Sequence, residues 1–193
     1  MSVTTPTRVR REPADRRREL LDAADALARA DGLAALGPAA VGSRAGASKA
    51  LVFHYFGSNA GLRRAVAERA VAALEQAIAP VGGTVEEQRR RIVAAYVDAV
   101  TERHRVWRDI WEGALAGDAP TEAALARVRT ALVERLVQSG GAAGSTPTAR
   151  LVAAGWVALV ETMTARWLAD GGAGVSRDEL ERLVLDSLAA LPR

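Results

Sequence analysis

The chain has 193 residues, 49% of them hydrophobic and 25% charged, enough for one large domain or a small domain docked on a larger one. The absence of cysteine excludes disulfides, thiolate metal sites and thiol nucleophiles. No apolar run approaches the roughly 20 residues of a membrane span, and no apolar stretch follows the Arg-rich start, so a cytoplasmic, unexported protein with no membrane contact is expected. Charge is uneven beneath the net +3: residues 1–70 hold 12 Lys and Arg against 7 Asp and Glu, whereas residues 71–193 hold 14 against 16. The basic end is the one suited to a polyanion.

Residues 1–14 contain Pro6, Pro13, Arg8, Arg10 and Arg11 and almost no large apolar group, so a flexible basic arm is predicted there. Two readings of the arm stand, plain disorder and a minor-groove contact. From Asp15 a helical stripe begins, Leu20, Leu21, Ala24, Leu27 and Ala28, and Asp31-Gly32 closes it. Pro38 opens a short second helix with Val41 and Ala45 four residues apart. Gly46-Ala47 turns the chain into a third helix over about Ser48–Tyr55. There Leu51, Val52 and Tyr55 face inward, and Lys49, Ala50, Phe53 and His54 face elsewhere.

Ser58 is placed to cap a fourth helix from Asn59 to about Ala79. Five more helices are predicted, over about 84–102, 104–116, 120–138, 147–169 and 176–190, and no strand. The fold expected is all-α with about nine helices: a three-helix domain at 15–60 and a larger helical domain at 61–193. The run Leu151–Val160 is apolar nearly all round, which calls for cover on two sides.

Lys49 is the one lysine among 26 basic residues, in Gly46-Ala47-Ser48-Lys49-Ala50-Leu51-Val52-Phe53-His54-Tyr55-Phe56. A tight turn followed by a short helix with an aromatic finish is the pattern of the reading half of a helix-turn-helix, which points to double-stranded DNA as partner. A phosphate-binding loop is excluded by spacing, because Ala-Ser separates Gly46 from Lys49 and a helix precedes. Catalysis finds little material. His54 and His104 are the two histidines, and the carboxylates follow solvated helix faces, so no enzyme, metal or cofactor is expected.

The segment from Gly32-Leu33 to Leu62, above all Ala45–Ser58, resembles the tetracycline-repressor (TetR) family of bacterial regulators. Arg166-Trp167-Leu168-Ala169-Asp170-Gly171-Gly172 is a weaker likeness near the end. Carried over by position, the resemblance puts Ser48, Lys49 and Ala50 at the start of the recognition helix and Phe53 and His54 one turn on, facing the major groove. Lys49 suits guanine edges or a phosphate, Ser48 either, and His54 a phosphate. Arg44 and Ser43 are candidate phosphate contacts. Asn59 stands where a lysine is common and keeps a hydrogen bond without the charge. Gly37 stands where a Thr or Ser commonly caps the second helix.

The resemblance also implies dimerisation and a small-molecule inducer held in the C-terminal domain. His104, Trp107, Arg108 and Trp111 share one helical face, and Trp156, Met163 and Trp167 form a second series beside Glu161. These residues suit an apolar or aromatic inducer, and equally suit ordinary core packing. Leu151, Gly155, Leu159 and Thr162, with Leu180, Leu183, Val184 and Leu188, are expected to pair two chains as a four-helix bundle. The function expected is a dimeric repressor on an inverted-repeat operator, released by its inducer. The alternative is a helical architectural protein that binds DNA with little sequence preference.

Overall fold

The computed structural model describes residues 12–79, 82–139 and 146–190. Arg8, Arg10 and Arg11 of the predicted arm lie outside the described residues. So do Pro80 and residues 140–145 of the predicted loop before Pro147.

Nine helices and no strand occur among the described residues: α1 (Pro13–Asp31), α2 (Pro38–Arg44), α3 (Lys49–Phe56), α4 (Asn59–Ala77), α5 (Val85–Glu102), α6 (His104–Trp111), α7 (Ala119–Ser139), α8 (Pro147–Ala169) and α9 (Arg177–Ala189). The first helix starts at Pro13 rather than Asp15, because proline has the φ and the missing N–H that a first helical turn accepts. Helix α6 stops at Trp111, short of the expected 116, and the N–H of Ala114 returns to the Asp109 carbonyl at 2.8 Å. Ser58 caps α4 through the Gly61 N–H at 3.0 Å, and Thr84 with Glu87 forms a reciprocal capping box on α5. Gly37 gives α2 no side-chain cap.

The head is α1–α3 closed by the start of α4. Leu20, Ala24, Leu33, Val41, Val52 and Leu62 make its sealed core. Gly42 lets α2 touch the turn that follows it: a Cβ there would stand 2.7 Å from the Ala47 carbonyl oxygen, and the Ala47 N–H donates to the Gly42 carbonyl at 2.8 Å. This close crossing sets the angle at which α3 leaves the turn.

Polar joints hold the head on the body, among them the ion pair of Arg29 in α1 with Glu102 in α5. Asp109, buried in α6, accepts the Leu33 N–H at 2.5 Å, and Gly32 with φ 85° gives its carboxylate room, since a Cβ there would lie 2.6 Å from Oδ2. Asp25 of α1 meets the buried Arg103 at 3.4 Å and Arg29 at 3.0 Å. Arg64 of α4 grips Asp118 with two contacts from Nε at 2.8 and 2.9 Å. That bidentate grip, with the Thr121 hydroxyl and N–H, holds the Asp118 carboxyl well below its ordinary value, at about 2.

In the body, Val93, Tyr96, Val97 and Val100 of α5 pack with Trp156, Val157 and Val160 of α8 and with Leu180 and Val184 of α9. Arg177 reaches Asp98 at 2.5 Å and ties α9 to α5. The Trp167 indole N–H donates to the Val175 carbonyl at 2.8 Å and shapes the turn between α8 and α9.

Asp109→Ala strands the buried Leu33 N–H and should lower the free energy of unfolding by about 1–3 kcal/mol in a denaturant titration. Because the Asp118 pKa is depressed on folding, its contribution is complete above the unfolded carboxyl value of about 3.9 and fades as pH falls towards about 2. Thermal scans across pH should therefore show Arg64→Met less stable than the native chain at neutral pH, with the gap narrowing over that acid window.

Candidate nucleic-acid interface

Helix α3 is pinned by its back and open at its front. Val52 and Phe56, four residues apart, are buried, while Ser48, Lys49, Ala50, Phe53 and His54 are exposed together. The Arg17 guanidinium of α1 lies 5.3 Å from the centre of the Phe56 ring, and Arg16 donates to the Gly46 carbonyl at 3.1 Å, so α1 clamps both ends of the turn and helix. Ser48 is the N-cap of α3, its hydroxyl accepting the Leu51 N–H at 3.2 Å. That oxygen has a structural task in addition to any contact with DNA. The Lys49 ammonium sits 5.7 Å from the centre of the Phe53 ring, and His54 packs edge-on against Tyr55. Ser43, Arg44 and Asn59 are exposed, the first two at the end of α2 and the third at the start of α4. The clamp residues Arg16 and Arg17 have no signal in the sequence beyond membership of a charged stretch, since their partners lie 30 and more residues away.

The residues expected around an inducer do not share one site. Trp107 is sealed in the core, its ring 5.7 Å from that of Trp111, while His104 and Arg108 point outward from α6. Glu161 is engaged with Arg129 at 2.9 Å, and Met163 packs half-buried on the core. A cavity of about 300 Å³ opens instead between α5, α7, α8 and α9, and of that predicted set only Trp156 lines it. Val85, Ile92, Val93, Leu132, Leu136 and Leu188 supply the rest of its apolar wall among the described residues, with Gln88, Arg89, Arg135 and Gln138 as its polar groups. The Trp156 indole is oriented by its N–H, which donates to the Ser187 hydroxyl at 2.9 Å. The signal for this cavity is the inward face of α5, but which helices complete it depends on packing.

The expected dimer face also divides. Leu180 and Val184 are buried inside their own chain and Leu188 faces the cavity, because α9 turns that stripe onto α5 and α8. Leu151, Gly155, Leu159 and Thr162 of α8 and Leu183 of α9 are exposed, with Leu151 at 75%, Leu159 at 44% and Leu183 at 49%. Among the described residues no group of three or more metal-ligating side chains is gathered, and no helix is long and apolar enough to cross a membrane.

A short exposed helix, set after a tight turn on a three-helix head and carried by a larger helical body, defines a helix-turn-helix DNA-binding regulator. Two family descriptions match the chain: "Bacterial regulatory proteins, tetR family" over residues 20–66 and "Tetracyclin repressor-like, C-terminal domain" over residues 85–191. The chain therefore belongs to the TetR family of transcriptional regulators, which are not enzymes. A TetR-family transcriptional regulator from Streptomyces coelicolor superposes with a TM-score of 0.84 at 26% identity, over 93% of this chain and 81% of that one. A TetR-like regulator from Rhodococcus sp. RHA1 gives 0.64 at 25% identity, over 94% and 100%. A further TetR-family regulator from Rhodococcus sp. gives 0.69 at 21%, over 91% and 97%, and supports the fold alone. No curated protein matches the chain.

Lys49→Ala should weaken DNA binding with no change in melting temperature, and the slope of log affinity against log salt should fall by about one if Lys49 meets a phosphate. Ser48→Ala should do the opposite first. It removes the α3 cap and lowers stability by roughly 0.5–2 kcal/mol, measurable by denaturant titration without DNA.

Proposed function

We propose that this protein is a ligand-responsive repressor that binds an inverted-repeat operator as a homodimer. The observation that carries the reading is the pairing of two exposed surfaces on one chain: the front of α3, and the apolar strip of α8 and α9 formed by Leu151, Gly155, Leu159, Thr162 and Leu183. Isolated exposed leucines need no explanation, but three beside Gly155 and Thr162 on adjacent helices suit burial against the same strip of a second copy. A two-fold axis through that strip repeats α3, and two reading helices require two half-sites in opposite orientation.

In this reading Lys49, Ser48, Ala50, Phe53 and His54 approach the major groove, and Ser43, Arg44 and Asn59 hold the flanking phosphates. The arginines of residues 1–14 add positive charge to the DNA-binding end of the chain. Domain roles divide near residue 60, with the head reading DNA and the body binding the second copy and a small molecule. Release follows when a ligand binds more tightly to the state whose reading helices are wrongly spaced, because a ligand of equal affinity for both states shifts nothing. The cavity among α5, α7, α8 and α9 is the place for that ligand, its volume at the small end of the roughly 300–1,000 Å³ typical of such sites.

Genomic fragments selected on the full chain at moderate salt should share one inverted repeat. Uniform recovery of all fragments would instead mean backbone binding and an architectural role. Leu183→Arg and Leu159→Arg place charge on positions already open to water in the single chain. They should therefore leave helicity and melting intact while shifting sedimentation from dimer to monomer and lowering operator affinity by an order of magnitude or more.

A further inference from the structure

The charged groups among the cavity's described lining residues share one sign. Arg89 and Arg135 line it with Gln88 and Gln138, and no carboxylate stands among the described residues that line it. The acidic residues beside them on α5 and α7 are engaged elsewhere: Glu86 with Arg90 at 3.1 Å, Glu134 with Arg150 at 3.3 Å, and Glu87 in the capping box with Thr84. The remaining wall is aliphatic, with the Trp156 ring as its one aromatic face.

An apolar slot bordered by guanidinium groups discriminates by charge. A cation entering it loses hydration against like charge, whereas a carboxylate exchanges water for planar, two-pronged hydrogen bonds that arginine is shaped to give. An uncharged chain fills the slot but leaves that interaction unmade.

We propose that the cavity binds an amphipathic monoanion, a carboxylate on an aliphatic or aromatic body. Its head is held by Arg89 and Arg135 and its tail lies against Leu132, Leu136 and Trp156. The assignment rests on the ligand-responsive reading above and names the ligand class for it.

Arg135 also gives the anion a path to the head. Its Nη1 donates to the Ile78 carbonyl at 2.6 Å, at the end of α4, whose other end packs on α3. A carboxylate drawn to this guanidinium binds the same planar group that holds that carbonyl, at its other N–H donors or in place of the carbonyl. It thereby changes what holds the end of the helix that connects body to head.

The test uses the full-length protein and three probes of equal chain length, decanoate, decanol and decyltrimethylammonium, each below its micelle threshold. Binding is followed by tryptophan fluorescence, and release from the selected operator is followed separately. Decanoate should bind, decanol should bind roughly tenfold more weakly, and the cation should not bind. Arg89→Gln with Arg135→Gln should bring decanoate to the level of decanol, and Trp156→Phe should remove most of the fluorescence change.

Decanol equal to decanoate, a preference for the cation, or no binding by any probe overturns the anionic assignment. So does an undiminished signal in Trp156→Phe, which places the binding outside the cavity. If decanoate binds as expected yet leaves the operator complex intact, the cavity's chemistry stands and the ligand-responsive reading falls. Release by decanol or the cation but not by decanoate keeps the ligand-responsive reading and overturns the anionic assignment.

Discussion

One carboxylate sets how the reading head sits on the rest of the molecule. Asp109 is buried in α6 and accepts the backbone N–H of Leu33, the residue just past the end of α1. The contact depends on Gly32, whose φ of 85° and missing side chain leave space for the carboxylate. A buried N–H and a buried carboxylate satisfy each other there, and separating them costs both. Asp25 with Arg103 and Arg64 with Asp118 reinforce the same junction from α1 and α4. The head is therefore joined to the body through directional polar contacts as well as apolar packing, and its position follows α4 and α6 closely.

That arrangement suits a regulator. The front of α3 makes no demand on the chain's own core, since Val52 and Phe56 bear the packing and Arg16 and Arg17 clamp the turn and the helix end from α1. The exposed side of the helix is free to be specified by DNA. At the other end of α4, Ile78 is held by Arg135, a residue that also lines the cavity in the body. The same helix thus touches the reading head and, through Arg135, the wall of the proposed ligand site.

The tryptophans illustrate how far residue type alone can mislead. Trp107 and Trp111 share one helical face, a pattern that serves a ligand cage or a core equally, and the structure seals Trp107 in the core. Trp156 does line a cavity, yet its companions there come from α5, α7 and α9 rather than from α6. A similar division applies to α9: Leu180 and Val184 face the chain's own core, and Leu183 alone of that stripe stays exposed. One helix rotation of about 100° per residue decides whether a leucine is core or surface, and hydrophobicity does not report the rotation.

The sequence by itself determined the nine helices, most of their ends, the turn before α3, and which side of α3 stays exposed. Each of these depends on residues within a few positions of one another: Pro38 and Ser58 at helix starts, Gly46-Ala47 at the turn, and Leu51, Val52 and Tyr55 on the inward side of α3, where Val52 is buried and Leu51 and Tyr55 half-buried. Tertiary structure alone decided the Asp109 joint, the Arg16 and Arg17 clamp, and the cavity wall that brings Arg89 and Arg135 together. The partners in these contacts stand far apart in the chain, from 30 positions between Arg16 and Gly46 to 76 between Leu33 and Asp109. Local periodicity dictates which face of a helix is apolar. Only the packing of all the helices, each burying its stripe against others at once, dictates which distant side chains then meet.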